Sequence, residues 1–298
     1  MSPEAPVPVV DVESESTRLG GAANVANNIA SLGGVPILIG VAGKDTAGNE
    51  LRSLLKGMGF TAEGIIEDAT RPTTVKTRVI ANHQHVVRID QEIKDNVNEE
   101  IQSKILGTLK SSLGALDGII LEDYNKGVVC KELIPEIISL ARTQKKIITV
   151  DPKFHNFFEY KNVTVFKPNR KETEEALGKR LTDSQSVEEA GRELIKRLDA
   201  ENVLLTLGEK GMSLFERGGS VTNVPTRARN VADVSGAGDT VIATLTMAIA
   251  AGATVQEASA LANFAGGIVC GEVGIVPIER DTLFDTVLEH EQRTGGSH

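Results

Sequence analysis

Short apolar runs alternate with longer amphipathic segments along most of the chain, and this alternation predicts an α/β fold. The predicted strands are Gly118–Asp123, Lys146–Asp151, Val163–Phe166 and Asn202–Thr206. The predicted helices are Asn98–Leu113, Lys131–Thr143, Lys171–Leu177 and Val187–Leu198. Because strands separated by helices pair in parallel, we expect a central, mostly parallel sheet with helices on both faces.

The N-terminal third predicts a second, smaller sheet. The strand Val35–Val41 and the helix Thr46–Met58 still follow the α/β pattern. Between residues 62 and 91, however, short runs of alternating apolar and polar residues are typical of a β-meander. The run Val7–Val12, whose Pro8 favours a sheet edge, is expected to join it. Residues 1–298 are thus predicted to form one domain, with a β lid made of residues 5–14 and 62–91.

A glycine-rich turn lies directly before the run Val241–Ala250, which is mostly apolar and is predicted to form a helix. Gly236 and Gly238 flank Ala237 directly before it, so the backbone can turn sharply and an anion can approach closely. The N–H groups of a first helical turn lack intrahelical acceptors and lie at the positive end of the helix dipole. The turn therefore predicts a phosphate site. Asp239 beside it is either a helix N-cap or a catalytic base, and these residues alone leave both interpretations open.

Polar residues also follow the predicted strands, where parallel sheets bind ligands. They are Asp123 and Lys126, Lys153, the run Asn169-Arg170-Lys171-Glu172, and Thr206, Gly208 and Gly211. Near the N-terminus, Gly20 and Gly21 lead into an Ala-rich helix that carries Asn24, Asn27 and Asn28 on one face. Asparagine is a poor helix former, and solvent exposure is the alternative to a ligand-binding role for these side chains.

Composition narrows the class of protein. A net charge of -9 over 298 residues argues against a nucleic-acid or membrane-surface binder. The two cysteines have no metal-site spacing, and the N-terminus has no secretion signal, so we expect a cytoplasmic protein. The chain contains neither a Walker P-loop motif nor an early dinucleotide-binding motif. Phosphoryl transfer without a P-loop still needs an anion clamp, a metal ion and a group that orients the nucleophile.

Three motifs together resemble the ribokinase-type (phosphofructokinase B-type) carbohydrate kinase family. They are Gly20-Gly21-Ala-Ala-Asn24, Asn169-x-x-Glu172 and Asp233-x-Ser-Gly-Ala-Gly-Asp239. The resemblance implies a ribokinase-like fold and an enzyme that uses ATP and Mg²⁺, and it leaves open a requirement for a monovalent cation. It implies that Asp239 is the catalytic base and that the amides of Gly236, Ala237 and Gly238 form the anion hole.

The resemblance also implies the remaining site residues. The sugar is expected at Gly20, Gly21 and Asn24, and the phosphates of ATP at Asn169, Arg170, Lys171 and Glu172, with Glu172 acting through Mg²⁺ and water. The nucleotide site is expected at Thr206, Gly208, Gly211 and Asn263. Asp123, Lys126, Lys153, Arg78 and Arg88 are candidates for holding the substrate and its phosphate; for the basic residues, solvent exposure or a structural ion pair is the alternative.

Several segments are similar to D-glycero-β-D-manno-heptose-7-phosphate kinases, among them Arg18–Ala26, Asp123–Gly127 and Gly267–Gly274. This similarity implies transfer of phosphate to the anomeric hydroxyl, giving the 1,7-bisphosphate on the route to the ADP-heptose of lipopolysaccharide. The family's first core strand, which ends in Gly-Asp, has no counterpart before Val7, so we expect that strand to be missing. The alternatives are another sugar or nucleoside kinase, or a nucleotide-binding protein disabled by that loss. The lid strands are expected to pair between subunits in a homodimer.

Overall fold

The computed structural model of the chain describes residues 9–81, 84–226 and 232–295. The helices, numbered in chain order, are α1 Ala22–Ser31, α2 Thr46–Gly57, α3 Glu99–Ser112, α4 Leu133–Thr143, α5 Arg170–Leu177, α6 Ser184–Leu198, α7 Ala237–Ala250, α8 Val255–Val269 and α9 Arg280–Gly295. The strands are β1 Gly40–Ala42, β2 Ile65–Glu67, β3 Val75–Ala81, β4 Gln84–Gln91, β5 Gly118–Glu122, β6 Ile147–Asp151, β7 Val165–Phe166, β8 Asn202–Thr206, β9 Met212–Glu216 and β10 Val221–Val224.

The main sheet has six strands in the order β10-β9-β8-β7-β6-β5. Strands β5 to β8 run parallel, whereas β9 and β10 are antiparallel to their neighbours. The predicted mostly parallel sheet is thereby confirmed, and its four predicted strands are present. The carboxyl ends of β5 to β8 meet at one edge of the sheet, so the polar residues that follow these strands lie in one region.

Apolar side chains cover both faces of the main sheet, because successive residues of a strand point to opposite sides. On one face, Val203 and Leu205 of β8 pack in the same cluster as side chains of α3, α4 and α6. On the other face, Leu204 packs with side chains of α1, α7 and α8. This second layer holds α1 and α7 side by side on the sheet, and it therefore determines where Asn24 and Asp239 meet.

The predicted lid is only partly correct. Strands β3 and β4 form an antiparallel two-stranded ribbon with a register shift between Val79 and Ile80. Residues 65–67, which we expected in the same sheet, instead form β2 and pair in parallel with β1. Residues 9–14 form no strand, and residues 5–8 lie outside the described residues. The predicted strand Val35–Val41 is also wrong over most of its length, because regular pairing begins only at Gly40.

The loop after β5 is held by backbone contacts to the segment that follows the ribbon. Gly127 has φ +71°, and its carbonyl oxygen accepts a hydrogen bond from the N–H of Val97. A Cβ on Gly127 would overlap the carbonyl oxygen of Asp95. Arg71 donates to the carbonyl oxygens of Lys126 and Asp95, which ties the same two segments together. This loop carries Tyr124, so its backbone path matters for the site described below.

None of the described helices has the length and apolar character needed to cross a membrane.

Gly127→Ala should reduce the free energy of unfolding by about 3 kcal/mol or more. The new Cβ would overlap the backbone of Asp95, and alanine would have to adopt a left-handed backbone conformation. Gly178→Ala is the matched control: Gly178 also has a positive φ, but a Cβ there has open space around it. That control should cost only about 1 kcal/mol. Urea unfolding of both variants measures the difference, and equal losses would contradict the close approach at Gly127.

Candidate active site

Asp239 is the third residue of α7, and its side chain does not cap the helix. The N-cap is Gly236, with φ +81° and no side chain to donate or accept. The N-cap interpretation of Asp239 is therefore wrong. With no capping side chain, the N–H groups of Gly238 and Asp239 in the first turn are left for an anion, as the glycine-rich turn predicts.

The Asp239 carboxylate is buried and oriented by two donors. Asn24 of α1 donates through Nδ2 to Oδ2 at 2.7 Å, and the Tyr124 hydroxyl donates to Oδ1 at 2.7 Å. Asn28 completes the contact between the two helices, because its Oδ1 accepts from the Thr240 hydroxyl and from the N–H of Ile278. Asn24 and Asn28 are almost fully buried, so solvent exposure does not explain these two asparagines.

Burial raises the pKa of Asp239 above its ordinary value, whereas the hydrogen bonds from Asn24 and Tyr124 act in the opposite direction. Desolvation makes the carboxylate a stronger base, while the two donors offset part of the rise in its pKa and direct its oxygens. A side chain in this state is suited to take a proton from a hydroxyl group that is bound beside it.

A row of alternating charges connects the glycine-rich turn to α5. A Cβ on Gly238 would lie 3.5 Å from Oδ2 of Asp151, the last residue of β6. Asp151 pairs with the buried Lys167 at 2.8 Å and with Lys153 at 3.3 Å. Lys153 also pairs with Glu172 of α5 at 2.6 Å. The row therefore joins the ends of β6 and β7 to the first turns of α5 and α7.

The Asn169–Glu172 motif forms the start of α5. Asn169 is the N-cap, its Oδ1 accepts from the N–H of Glu172, and the Glu172 carboxylate accepts from the N–H of Asn169. Asn169 also forms an isolated parallel bridge with Thr206 at the end of β8. Arg170 pairs with Glu174 at 3.2 Å. The capping box explains why the helix begins one residue before the predicted Lys171.

A cavity of about 390 Å³ opens beside this helix start. Its lining includes Lys153, Asn169, Lys171 and Glu172, together with Asn125, Phe154, His155 and Glu175. Two lysines and two asparagines can hold phosphate oxygens. Four of the predicted residues therefore lie around one opening.

On the nucleotide side, the structure assigns packing contacts to Gly211 and Asn263. A Cβ on Gly211, which has φ +86°, would overlap the carbonyl oxygen of Val224, so the close approach of two strands requires glycine here. Asn263 of α8 donates to the carbonyl oxygen of Pro225 at 2.7 Å. Gly208 has φ +63° and begins a short 3₁₀ turn, with open space around its Cα.

Four of the residues predicted to hold the substrate contact other parts of the protein and not Asp239. Asp123 is buried and accepts hydrogen bonds from the N–H of Asn125, from Asn156 and from the Tyr160 hydroxyl. Lys126 forms an ion pair with Glu92. Arg78 and Arg88 are cross-strand partners on the exposed ribbon, where Arg88 pairs with Asp90 at 2.9 Å.

Tyr124 was not among the predicted site residues, although it lies directly after a predicted strand. A Cβ on Gly21 would lie 3.3 Å from Cε2 of the Tyr124 ring, so the absence of a side chain at Gly21 leaves room for the ring. Lys153 lies 5.7 Å from the ring centre. Asp151 and Lys167 were not among the predicted site residues either, although Asp151 ends one predicted strand and Lys167 directly follows another. In each case the position after an apolar strand was the available signal, but it did not indicate the partner.

Within the described residues, no group of three or more histidine, cysteine, aspartate or glutamate side chains could hold a metal ion. Both oxygens of Glu172 are engaged, one with Lys153 and one with the N–H of Asn169. A Mg²⁺ ion at this position would therefore be bound mainly by phosphate oxygens and water, with Glu172 in an outer position, in keeping with the reluctance of Mg²⁺ to lose its water ligands.

Comparisons with known proteins identify the family of this chain and similar folds. Residues 2–280 match the model of the pfkB family carbohydrate kinases. The chain is 43% identical over 274 residues to the bifunctional protein HldE of Geobacter sulfurreducens and also to that of Helicobacter pylori strain J99. These alignments include 92% of this chain, but only 56% and 59% of those proteins. The chain thus spans little more than half the length of these curated relatives.

Solved structures with a similar fold include phosphofructokinase-2 from Escherichia coli in complex with potassium, with a TM-score of 0.79 and 23% identity over 94% of this chain and 91% of that chain. Ribokinase from Giardia lamblia has a TM-score of 0.74 and 18% identity over 95% of this chain and 94% of that chain. At these identities the likeness concerns the fold alone.

Tyr124→Phe should raise the pKa of Asp239, because it removes a hydroxyl that donates to the charged carboxylate and leaves the burial intact. Carbon-13 NMR titration of the Asp239 carboxyl measures the change. Tyr160→Phe is the matched control, since its hydroxyl donates at the same 2.7 Å to a different aspartate, Asp123. An unchanged Asp239 titration in Tyr124→Phe would contradict the orienting role of Tyr124.

Proposed function

This chain belongs to the pfkB family of carbohydrate kinases, and we propose that it transfers the γ-phosphoryl group of ATP to the anomeric hydroxyl of D-glycero-β-D-manno-heptose 7-phosphate. The predicted family, the ribokinase-like fold and the enzyme class of ATP-dependent carbohydrate kinase are confirmed. The choice of acceptor is supported by the resemblance of Arg18–Ala26 and Asp123–Gly127 to heptose-7-phosphate kinases. The 1,7-bisphosphate product would serve the synthesis of ADP-heptose for lipopolysaccharide.

The observation that carries the proposal is the position of Asp239, one residue after the glycine-rich turn and held by Asn24 and Tyr124. In the transfer, the acceptor hydroxyl loses its proton to the Asp239 carboxylate. The acceptor oxygen forms a bond to the γ-phosphorus as the bond between that phosphorus and the leaving oxygen of ADP breaks. The amides of Gly236, Ala237 and Gly238 remain our candidates for binding the oxygens of the transferring group, joined by that of Asp239. The Ala237 N–H donates to the carbonyl oxygen of Val234 at 3.3 Å, so it would have to exchange that bond for one to the ligand.

ATP and Mg²⁺ are the cofactors we propose, and the strand ends fit their charge. Lys171 beside the cavity would hold phosphate oxygens of ATP, together with Asn169 and Arg170. Mg²⁺, when bound, would neutralise the phosphates, with Glu172 contacting its water ligands. Thr206, Gly208, Gly211 and Asn263 remain our candidates for the nucleotide side. A monovalent cation stays an open requirement, and a cytoplasmic location stays a prediction.

The substrate side is proposed at Gly20, Gly21 and Asn24, next to the base. For the sugar phosphate group we retain Lys126, Lys153, Arg78 and Arg88 as candidates, with Asp123 supporting the loop between them. Lys126 and Lys153 are each ion-paired in the structure. A phosphate ligand would therefore exchange an existing pair for a new one, and its net gain would be smaller than that of a fresh ion pair.

Asp239→Asn should reduce turnover by about 10²- to 10⁴-fold, because the amide does not accept the proton of the acceptor hydroxyl. Binding of ATP, measured by calorimetry, should remain within about twofold, since the amides of the helix start are retained. Asp281→Asn is the matched control, because Asp281 also lies in the first turn of a helix but is exposed on α9. Full activity of Asp239→Asn would contradict its role as the base.

The acceptor is tested by measuring ADP release with heptose 7-phosphate, fructose 1-phosphate, fructose 6-phosphate, ribose and adenosine. We expect the largest kcat/KM for heptose 7-phosphate. A higher value for another acceptor would replace the substrate but retain the kinase. ATP binding without ADP release on any acceptor would identify a non-catalytic nucleotide-binding protein.

We also propose a homodimer formed through the ribbon of β3 and β4. A two-stranded ribbon is marginally stable in isolation, and this one exposes Ile80, Val87 and Ile89 by 56%, 48% and 58%. Val87 and Ile89 lie on the same face of β4, because residues two apart in a strand point the same way. Pairing with a second ribbon would cover these side chains.

Light scattering of the wild-type protein should give twice the chain mass of 31.7 kDa. The double variant Val87→Lys/Ile89→Lys should be monomeric, since four lysines would face each other across the dimer. Val35→Lys is the control, because Val35 is 91% exposed but lies outside the ribbon. A wild-type monomer, or a double variant that remains dimeric, would overturn this interface.

A further inference from the structure

Asn28 is a second buried asparagine of α1, one turn after Asn24, and the reaction described above assigns it no role. Its side chain is fully inaccessible to solvent. Asparagine is a poor helix former, and burying its amide is unfavourable unless the polar atoms find partners. Leucine or alanine would fill the same place in a helix interface at lower cost. An asparagine at this position therefore indicates a role beyond packing.

The Asn28 amide makes three hydrogen bonds, two of which reach other elements. Nδ2 donates to the carbonyl oxygen of Asn24 at 2.9 Å. Oδ1 accepts from the Thr240 hydroxyl of α7 at 2.9 Å and from the N–H of Ile278, just before α9, at 3.0 Å. One side chain thus connects α1 to α7 and to the segment before α9, which lie 212 and 250 positions away in the chain.

The residues that Asn28 contacts adjoin the proposed base. Thr240 follows Asp239 directly, and Asn24 donates to Oδ2 of Asp239 at 2.7 Å. Ile278 packs in the same apolar cluster as Ala237, the first residue of α7. The oxygen of the Asn28 amide therefore holds the residue after the base, and its nitrogen holds the residue that orients the base.

We propose that Asn28 is a positioning residue, which sets the distance between Asn24 and Asp239 by fixing α1 against the first turn of α7. The kinetic consequence of this inference rests on the proposed function, whereas the state of Asp239 is measured without substrate. Val25 of α1 also packs against α7, but apolar packing is non-directional. A base must lie within hydrogen-bond reach of the hydroxyl that it deprotonates, and a displacement of about 1 Å can cost about 10²-fold in rate.

Asn28→Leu tests this role, because leucine has the same branching and makes no side-chain hydrogen bond. Turnover of the acceptor that proves active in the panel should fall by about tenfold or more, with the KM for ATP within about twofold. The pKa of Asp239 should rise, because a weaker hydrogen bond from Asn24 opposes the effect of burial less. Carbon-13 NMR titration of the Asp239 carboxyl measures this pKa in the free protein, and the acidic limb of the pH profile of turnover should move to higher pH with it.

The other titratable groups that act on Asp239 are unchanged in this variant. They are Glu122 at the end of β5, Tyr124 in the loop after it, Asp151 at the end of β6 and Lys167 after β7. A change in the titration of Asp239 can therefore be assigned to the lost contacts of Asn28.

Thr246→Val is the matched control for a purely structural role. Thr246 is also buried on α7 and shares a hydrogen bond of 2.7 Å with Thr149 of β6, but it lies about two turns after the base. Both variants should lower the Tm, because each leaves buried polar groups with fewer partners. Only Asn28→Leu should change turnover and the pKa of Asp239.

Two further variants keep the test independent of the folding of Asn28→Leu. Thr240→Val removes one donor to Asn28 and retains its bonds to Asn24 and Ile278, so the pKa of Asp239 should rise by a smaller amount. In an Asn24→Ala background, adding Asn28→Leu should change the pKa of Asp239 little further, because Asn28 acts through Asn24.

The outcomes separate this inference from the proposed function. If Asn28→Leu lowers the Tm but leaves turnover and the pKa of Asp239 unchanged, the inference is overturned and the kinase function stands. The same holds if Thr246→Val reproduces the changes, since any loosening of α7 would then have this effect. If the wild type phosphorylates no sugar, the proposed function fails and the Asp239 titration decides on Asn28: a raised pKa supports the positioning role and an unchanged pKa overturns it.

Discussion

The contact on which the site depends is the burial of the Asp239 carboxylate between α1 and the loop after β5. Asn24 comes from one of these elements and Tyr124 from the other, and each donates to a different oxygen. Removal from water makes the carboxylate more basic, while the two donors direct it. The same contact joins three distant parts of the chain, so the position of the base depends on the packing of α1 and α7 on the main sheet.

Around Asp239, the carboxylates of Glu122, Asp151 and Glu172 outnumber the ammonium groups of Lys153 and Lys167. Lys153 and Lys167 each serve Asp151, and Lys153 is shared with Glu172. A protein with a net charge of -9 must bind a phosphorylated ligand through local donors against its own field. The first turn of α7, the side-chain amide of Asn169 at the start of α5 and the lysines between them provide such donors. Glu122 is the group in this region whose interactions the described protein leaves incomplete.

Local patterns determined most of the secondary structure. Apolar runs located β5, β6, β7 and β8 to within two residues, because buried strands of a parallel sheet are apolar on both faces. The lid was harder to predict. Residues 65–67 have the same alternation as β3 and β4, yet they pair with β1. Alternation indicates that a strand has two different faces, but it does not identify its neighbour, which depends on contacts far along the chain.

The sequence by itself determined the fold class and the glycine-rich turn before α7, because these depend on residues close together in the chain. Only the tertiary structure showed that Tyr124 donates to Asp239, that Lys153 bridges Asp151 and Glu172, and that Glu122 is buried without a partner. The two sets of contacts join residues from different elements, and the burial of Glu122 depends on the elements packed around it. Their distances and desolvation depend on how the helices pack on the sheet, and local sequence does not encode that packing in a readable pattern.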